Sequence, residues 1–340
     1  MKRNEILARL GFTVPNLKKK RVIIHSDVRN EADDPFAIMH HLLTPSVEVK
    51  GIVAGHFEWI ARMLPTMAKL QGLTLEQLQT SNNNMFAARG TSMELSYQEG
   101  KRILDLAEID DIPLIRGSKY ELTDLSQLPE SEGADFIIQE AMKEDDRPLY
   151  VALMGCMTDL AIAYLKEPRI ADRVIAIWIG GGAYPAGEDE FNLKQDIKAA
   201  NVVFESPIEV WQVPKNTYKT IEISFAELIK YVKPCGALGE YLCEQMFALN
   251  DKLGNSPHMA NRAFPHGETW CIGDNPTLTV LMQNGERISW HMEKAPHIEE
   301  DTTYTPNPEG KEIRVYDSID TRMSISDLFA KLDLCYGNKK

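Results

Sequence analysis

Three carboxylates lie close together in the segment HSDVRNEADD, near the start of the chain. Asp27 follows a run of β-branched residues, and Asp33 and Asp34 come after a short loop, where a helix is predicted to begin. Carboxylates this close repel one another unless a cation or hydrogen-bond donors compensate, and oxygen ligands of this kind suit Ca²⁺ or Mg²⁺. The alternative is that Asp33 and Asp34 only cap the helix and interact with its dipole. A phosphoryl-transfer aspartate is a second enzymatic interpretation, whereas the EF-hand spacing fails at Arg29.

Further polar groups follow later predicted strands. Gly155 would let the chain turn and leave the Met154 carbonyl, a legitimate calcium ligand, pointing outward; an ordinary strand-to-helix turn is the alternative. Glu190 and Asn192 are separated by one residue, so in an extended segment they would share a face and suit paired hydrogen bonds to vicinal hydroxyls. Asp274 precedes a predicted helix, where its simplest role is that of an N-cap.

The elements that would position these groups alternate between strands and helices. The predicted strands are Arg21–Asp27, Val47–Ala54, Pro113–Arg116, Leu149–Met154, Arg173–Ile179, Glu209–Val213 and Ile313–Ser318. The predicted helices are Asp33–Leu43, Tyr97–Ala107, Asp135–Lys143, Thr158–Lys166, a mainly helical Phe225–Leu253, Trp270–Met282 and Ser324–Leu332. This alternation predicts an α/β fold with a mostly parallel, Rossmann-like open sheet and helices on both faces. In such folds ligands bind beyond the carboxyl ends of the strands.

Composition and motifs argue against several classes of protein. The formal net charge of -13 disfavours nucleic acid and anionic membrane surfaces as partners. Five cysteines without a CxxC pair favour reduced thiols over a disulfide framework or a zinc-thiolate site. The run Gly180–Gly182 permits close approach of a ligand, but it lacks the P-loop and dinucleotide-binding patterns. The first 20 residues carry charges throughout, so we expect no signal peptide. No window approaches the roughly 20 apolar residues of a membrane span, so we expect none. With reduced thiols, these features predict a cytoplasmic protein.

Taken together, five segments resemble the inosine-uridine preferring nucleoside hydrolase family. That family opens with a strand ending in DxDxGxDD and continues with a GxLTN-like turn and a strand ending in MGG. It then carries an EFN tripeptide with a downstream Asp and alanines, and an Asp near the start of a late helix. The present chain has, in this order, HSDVRNEADD, MGCMTDL, IGGGAY, EFNLKQDIKAA and IGDNP. The resemblance runs from about Arg21 to about Met282 and implies the nucleoside hydrolase fold in a divergent member.

The resemblance implies calcium-dependent hydrolysis of the N-glycosidic bond of a ribonucleoside or related riboside. Calcium would be bound by four groups, namely the side chains of Asp27, Asp34 and Asp274 and the carbonyl of Met154, with the ribose 2′- and 3′-hydroxyls. Asp33, Glu190 and Asn192 would form hydrogen bonds with the ribose. A metal-bound water would be the nucleophile and Asp27 the base. This chemistry is coherent, because a cation lowers the pKa of its water and carboxylates stabilise an oxocarbenium-like transition state.

The chain departs from the family pattern mainly where the leaving group would be handled. The first family Asp is His25 here, and the Asn after the second strand corresponds to His56. An Asn expected before the family Glu aligns with Tyr184, and the His that protonates a purine leaving group is Gly273. We therefore predict a base that leaves unaided, an unusual riboside, or a different acid.

Other residues could serve that end of the substrate. The candidate acids are His56, His258 and His266, because imidazole titrates near neutrality; a surface or packing role is the alternative for each. Trp270 could stack on a base or pack in the core.

We predict a single domain over residues 1–340, with an N-terminal extension over 1–20 and a C-terminal strand–helix extension over 288–340. The latter is assigned packing or subunit contacts in a homo-oligomer, either a dimer or a tetramer. The expected partner is a small-molecule nucleoside or riboside. Two alternatives stay open: a riboside- or sugar-binding protein of the same fold without activity, and a Mg²⁺-dependent phosphohydrolase, against which the missing phosphate-binding motif argues.

Overall fold

The computed structural model of the protein describes residues 1–81, 87–255, 265, 267–283 and 285–337. Its strands are β1 (Lys20–Ser26), β2 (Val47–Ala54), β3 (Leu114–Arg116), β4 (Leu149–Leu153), β5 (Val174–Ile179), β6 (Glu209–Val213), β7 (Glu222–Ser224), β8 (Thr269–Cys271), β9 (Ser289–Lys294), β10 (His297–Ile298), β11 (Tyr304–Thr305) and β12 (Glu312–Ser318). Its α-helices are α1 (Arg3–Leu7), α2 (Asp34–Leu42), α3 (Trp59–Leu70), α4 (Leu75–Ser81), α5 (Ser92–Leu106), α6 (Glu132–Ala141), α7 (Thr158–Lys166), α8 (Phe191–Gln195), α9 (Ile197–Glu205), α10 (Lys215–Tyr218), α11 (Phe225–Glu227), α12 (Gly236–Gly254), α13 (Pro276–Met282) and α14 (Thr321–Tyr336).

The main sheet has eight strands in the order β3-β2-β1-β4-β5-β6-β12-β9. All neighbouring strands are parallel except β9, which pairs antiparallel with β12 and forms one edge. The predicted α/β fold with a mostly parallel sheet is therefore confirmed. Two smaller antiparallel pairs, β7 with β8 and β10 with β11, lie outside this sheet.

Buried apolar side chains cover both faces of the sheet. Alternate residues of β1 point to opposite faces, so that Val22 and Ile24 join one core cluster and Ile23 joins the other. The first cluster includes apolar residues of α2, α5, α12, α13 and α14, and the second includes residues of α6, α7 and α9. A sheet enclosed in this way explains why its strands read as continuous apolar runs.

The order of the strands reverses between β1 and β4. From β1 the chain adds β2 and β3 on one side, and from β4 it adds β5 and β6 on the other. At such a topological switch point the connections leave in opposite directions and open a crevice beyond the carboxyl ends of the strands. The backbone N–H of Met154 donates to the carbonyl of His25 over 2.8 Å, which aligns the two strand ends. Asp27 and Met154 therefore lie at the edge of this crevice.

One predicted element was wrong in part. The helix expected over Trp270–Met282 begins only at Pro276, because Thr269–Cys271 forms strand β8 against β7. This pairing partner lies some fifty residues earlier in the chain, so no local pattern announces it. Strand β9 and helices α3 and α4 were not predicted at all.

The two terminal segments pack closely on the body of the fold. In the N-terminal segment Ile6 and Leu10 belong to a core cluster, and the buried Arg3 guanidinium donates to the carbonyl of Leu42 over 2.7 Å. The C-terminal segment contributes β9 and β12 to the main sheet. Within the part of the chain that the structure describes, no helix is both long and apolar enough to cross a membrane.

Candidate active site

Three carboxylates meet at the crevice. One carboxylate oxygen of each of Asp33, Asp34 and Asp274 lies within 4.8 Å of the others, and all three side chains are buried. Asp33 is the N-cap of α2 and Asp34 its first residue, while Asp274 closely precedes α13. Ser26 donates to Asp34 over 2.5 Å, and the backbone N–H of Asp274 donates to Asp33 over 3.2 Å. Two helix N-termini thus direct their positive dipole ends at the cluster.

Asp27 borders this cluster and has an unpaired oxygen. The residue is 1% exposed, and its Oδ2 atom is buried without a hydrogen-bond partner in the described structure. Its side chain lies over Gly155, where a Cβ atom would stand only 2.9 Å from the Asp27 Oδ1 atom. The absence of a side chain at position 155 therefore makes room for the Asp27 carboxylate. A buried carboxylate oxygen without a donor is costly unless a cation approaches it.

The electrostatics of the cluster also call for a cation. Burial, followed by repulsion from neighbouring carboxylates, raises the pKa of Asp27, Asp33 and Asp274 well above the usual value. Burial raises the pKa of Asp34 to about 6, although hydrogen bonds from Asp274 and Ser26 oppose the change. Full ionisation near neutrality therefore costs free energy in the protein alone. A divalent cation would offset this cost, so the donor set fits a hard metal ion.

Glu190 and Asn192 reach the same crevice from the loop after β5 and the start of α8. The Glu190 carboxylate is the N-cap of α8 and accepts four hydrogen bonds within the chain. The four donors, at 2.8–3.1 Å, are the backbone N–H groups of Gly181, Asn192 and Leu193 and the hydroxyl of Tyr218. The Asn192 amide donates to the carbonyl of Ile179 over 3.1 Å and, more weakly, to that of Met154 over 3.5 Å.

These groups line a cavity of about 330 Å³. Seven predicted site residues form part of its wall: Asp27, Asp33, Asp34, Met154, Glu190, Asn192 and Asp274. The lining also includes residues that were not predicted: Asn30, Glu31, Asp189, Phe191, Lys194, Lys215, Tyr218, Lys219, Glu222 and Cys271. The cavity is therefore lined by carboxylates together with aromatic and lysine side chains.

His56 and Trp270 do not line this cavity. The His56 ring is buried, and its Nε2 atom lies 2.9 Å from the Thr158 hydroxyl and 3.4 Å from the Cys156 sulfur. Burial lowers the pKa of His56 to about 4, so the ring is neutral near pH 7. Trp270 is 1% exposed and belongs to the core. His258 and His266, the other candidate acids, lie outside the described residues.

His25 stands at the position of the first family Asp and forms a buried pair with Asp159. Its Nε2 atom lies 2.7 Å from the Asp159 carboxylate, and both side chains are fully buried. Burial by itself would raise the pKa of Asp159, but hydrogen bonds from His25, Ser131 and the backbone of Ser118 outweigh it and lower that pKa. This pair ties β1 to the start of α7 below the crevice.

Tyr218 accounts for the glycine at position 273. A Cβ atom at Gly273 would lie 2.9 Å from Cδ2 of the Tyr218 ring, so the ring occupies the space of a side chain there. Tyr218 ends the short helix α10, for which the sequence offered no periodic signal. Only the substitution of glycine for the family His hinted that another side chain fills this space.

Glu31 was also missed, although it lies inside the opening motif. Burial, and then the nearby Asp34 carboxylate, raise the pKa of Glu31 to about 7, while Lys219 and a hydrogen bond with Trp270 oppose the change. The Trp270 indole is thus directed at a carboxylate of the cavity wall. The missed signal was a fourth acidic residue in the loop between Asp27 and Asp33.

Comparison with known proteins identifies the family. The sequence model of the inosine-uridine preferring nucleoside hydrolase family matches residues 22–323. A probable uridine nucleosidase 2 from Arabidopsis thaliana is 25% identical over 237 residues, which cover 66% of this chain and 68% of that protein. An inosine-uridine preferring nucleoside hydrolase from Crithidia fasciculata is 34% identical over 92 residues, covering 26% of this chain and 28% of that protein.

Among solved structures, the purine-preferring ribonucleoside hydrolase from Gardnerella vaginalis has the same fold. It superposes with a TM-score of 0.68 at 16% identity, covering 93% of this chain and 99% of that one. The chain belongs to the inosine-uridine preferring nucleoside hydrolase family and is a hydrolase that acts on N-glycosyl bonds. The family match extends to residue 323, beyond Met282, near which the resemblance seen in the sequence ends.

Proposed function

We propose that the protein hydrolyses the N-glycosidic bond of a ribonucleoside or a closely related riboside with the help of Ca²⁺. The observation that carries the proposal is the meeting of Asp33, Asp34 and Asp274 beside the unpaired Asp27 oxygen, in a cavity that also presents Glu190 and Asn192. Carboxylates and a backbone carbonyl are the ligands that calcium prefers, and its coordination tolerates an irregular arrangement.

In this proposal the cation is held by Asp27, Asp34, Asp274 and the Met154 carbonyl. When bound, calcium supplies a water of lowered pKa as the nucleophile and an anchor for two sugar hydroxyls. Asp27 accepts the proton of the attacking water, for which its unpaired Oδ2 atom is free. Asp33 accepts a hydrogen bond from the ribose, and the surrounding carboxylates stabilise positive charge that develops on the sugar ring.

Glu190 and Asn192 are proposed to bind the sugar as well. The Glu190 carboxylate already accepts four hydrogen bonds, and these limit how it can accept one from the sugar. Three of these donors are backbone groups of the loop and helix, whereas the fourth is the Tyr218 hydroxyl at the cavity wall. A ribose hydroxyl therefore reaches Glu190 by taking the place of the Tyr218 hydroxyl. Asn192 also steadies the Met154 carbonyl through its amide.

The family's purine-protonating histidine has no counterpart here. Among the described residues that line the cavity there is no histidine, and neither His56 nor Trp270 lines it. We propose a substrate whose base leaves with little protonation, or whose proton comes from solvent. The cytoplasmic location and the homo-oligomeric state stay predictions from the sequence.

The test is turnover of a panel of purine and pyrimidine nucleosides and of p-nitrophenyl riboside, with calcium and with a chelator. We expect release of base or nitrophenol that the chelator abolishes, and more rapid release from p-nitrophenyl riboside, because nitrophenolate needs no acid. Thermal stabilisation by ribosides without turnover would favour the binding-protein alternative. Release of phosphate from generic phosphoesters with Mg²⁺ would favour the phosphohydrolase alternative.

A further inference from the structure

Three helices meet in a buried polar seam behind the carboxylate cluster. The seam consists of His40 of α2, Thr44 just after α2, Asn275 just before α13, Thr279 of α13, and Ser324, Asp327 and Lys331 of α14. All of these side chains are buried except Asp327, whose side chain is 29% exposed. Buried polar groups that are fully hydrogen-bonded fix one relative arrangement of the elements that carry them.

The seam fixes the orientation of the Asn275 amide. The Thr279 hydroxyl donates to the backbone carbonyl of Asn275 over 3.1 Å and lies 2.6 Å from the Ser324 hydroxyl. Because Thr279 uses its only proton in this way, Ser324 donates to Thr279 and accepts from the Asn275 amide nitrogen, over 2.8 Å. The Asn275 amide oxygen must then face the opposite side, where His40 lies.

His40 connects that oxygen to helix α14. Its Nδ1 atom donates to the Asn275 amide oxygen over 2.9 Å, and its Nε2 atom lies 2.7 Å from the Asp327 carboxylate. Asp327 also pairs with Lys331, whose ammonium group donates to the Thr44 hydroxyl over 2.8 Å. Thr44 in turn donates to the carbonyl of His40 over 2.6 Å. Asp327 therefore holds α2 through two separate routes.

Both helices held by the seam carry carboxylates of the cluster. Asp34 begins α2, about 9 Å along the helix axis from His40, and Asp274 is the residue before Asn275. Repulsion between ionised carboxylates disfavours the close approach of α2 and α13 when no cation lies between them. A rigid contact between the two helices opposes this separation and keeps the ligand oxygens at binding distance.

We propose that Ser324 and Asp327 are positioning residues for the cation site, so that helix α14 sets the cation affinity of a site it does not touch. This inference rests on the proposed function, because it assumes that the carboxylate cluster binds a divalent cation. Partners of metal ligands commonly contribute one to two orders of magnitude in affinity. The seam residues act in the same way, although they position the segments that carry the ligands and do not contact the ligands themselves.

The test measures calcium affinity of the full chain by titration calorimetry, well below the unfolding transition, for Asp327→Asn and Ser324→Ala. The control is Asp333→Asn, the same change at an exposed position of the same helix. We expect both seam variants to bind calcium about tenfold more weakly, the lower end of the range for such partners, and the control to bind like the wild type. Ser324→Ala removes a single hydroxyl and serves as the test if Asp327→Asn does not fold.

A second readout separates positioning from simple stability. Urea unfolding in chelator gives the free energy of unfolding of each variant without the cation. Variants that lose stability in chelator but bind calcium with wild-type affinity would overturn the inference and leave the proposed function intact. A wild-type protein that binds no divalent cation would instead overturn the proposed function, and the inference with it.

Discussion

Replacing Asp34 with Asn should make the protein without calcium more stable while removing its response to calcium. The amide oxygen of Asn can still accept the hydrogen bond that Ser26 donates to Asp34 over 2.5 Å. What the change removes is a negative charge at a side chain that is 2% exposed and surrounded by other carboxylates. Loss of function and gain of stability are therefore expected from one substitution.

The size of the effect follows from the pKa. Burial raises the pKa of Asp34 from 3.8 to about 6. A difference of that size corresponds to about 3 kcal/mol of free energy at neutral pH. Because the Asn side chain is also buried, we expect a net gain of about 1–3 kcal/mol in the free energy of unfolding at pH 7 in chelator.

With calcium the order of stability should reverse. A ligand that binds only the folded state at a thousand times its dissociation constant stabilises it by about 4.1 kcal/mol, which exceeds the gain expected for the variant in chelator. The wild type should gain this stabilisation, and Asp34→Asn should gain little of it. Urea unfolding of both proteins in chelator and in calcium measures the four values, with Asp333→Asn as the matched exposed control.

Two results would refute this reasoning. If Asp34→Asn is less stable than the wild type in chelator at pH 7, the buried charge does not strain the folded state. If the variant gains as much stability from calcium as the wild type, Asp34 is not a ligand. Either result would remove the electrostatic argument for the site.

Three further predictions concern the same cavity. Gly273→Ala should destabilise the fold by about 1–3 kcal/mol through overpacking, because its Cβ atom would lie 2.9 Å from the Tyr218 ring. Thermal unfolding should show no comparable loss for Gly254→Ala, where the nearest atom that the Cβ would meet outside its own helix, among the described residues, lies at 3.9 Å. Tyr218→Phe removes a donor to the buried Glu190 carboxylate and should lower the free energy of unfolding in urea by about 1.5–3 kcal/mol. In steady-state assays KM for the riboside should fall, because the sugar hydroxyl no longer displaces the Tyr218 hydroxyl. A raised KM would contradict the proposed exchange. The rise in melting temperature that calcium produces should be smaller at pH 5 than at pH 7. Asp34, with a pKa of about 6, binds a proton in the folded protein at the lower pH, and this proton competes with the cation. A larger rise at pH 5 would argue against these ligands.

The order of strands and helices could be predicted well from the sequence, because buried parallel strands and amphipathic helices leave local patterns. The strand Glu209–Val213 was predicted with the bounds that the structure has, and the first strand was displaced by one residue. The edge strand β9 escaped prediction because its side chains are mostly exposed and it lacks an apolar run. The pairing of β8 with β7 depends on a distant partner, so local pattern suggested a helix instead.

The residues of the proposed cation site were accessible from sequence because strand ends meet at one edge of a parallel sheet. Asp27, Asp33 and Asp34 belong to one motif, whereas Asp274 and Met154 lie elsewhere in the sequence. Each of these residues stands next to a strand or helix that the sequence specifies. What no linear pattern could supply was which side chains fill the spaces between them. Tyr218 occupies the space over Gly273, and neither His56 nor Trp270 lines the cavity, because packing across distant segments decides their positions.

The charge state of the site and its rigidity also belong to the tertiary structure. The amino-acid sequence by itself determined that carboxylates would gather at the end of the first strand. Only the fold brings Asp274 against Asp33 and Asp34, buries them together, and joins the helices that carry them through His40, Asn275 and Asp327. The physical reason is that covalent neighbours set local conformation, whereas desolvation and repulsion depend on distances between residues that are far apart along the chain.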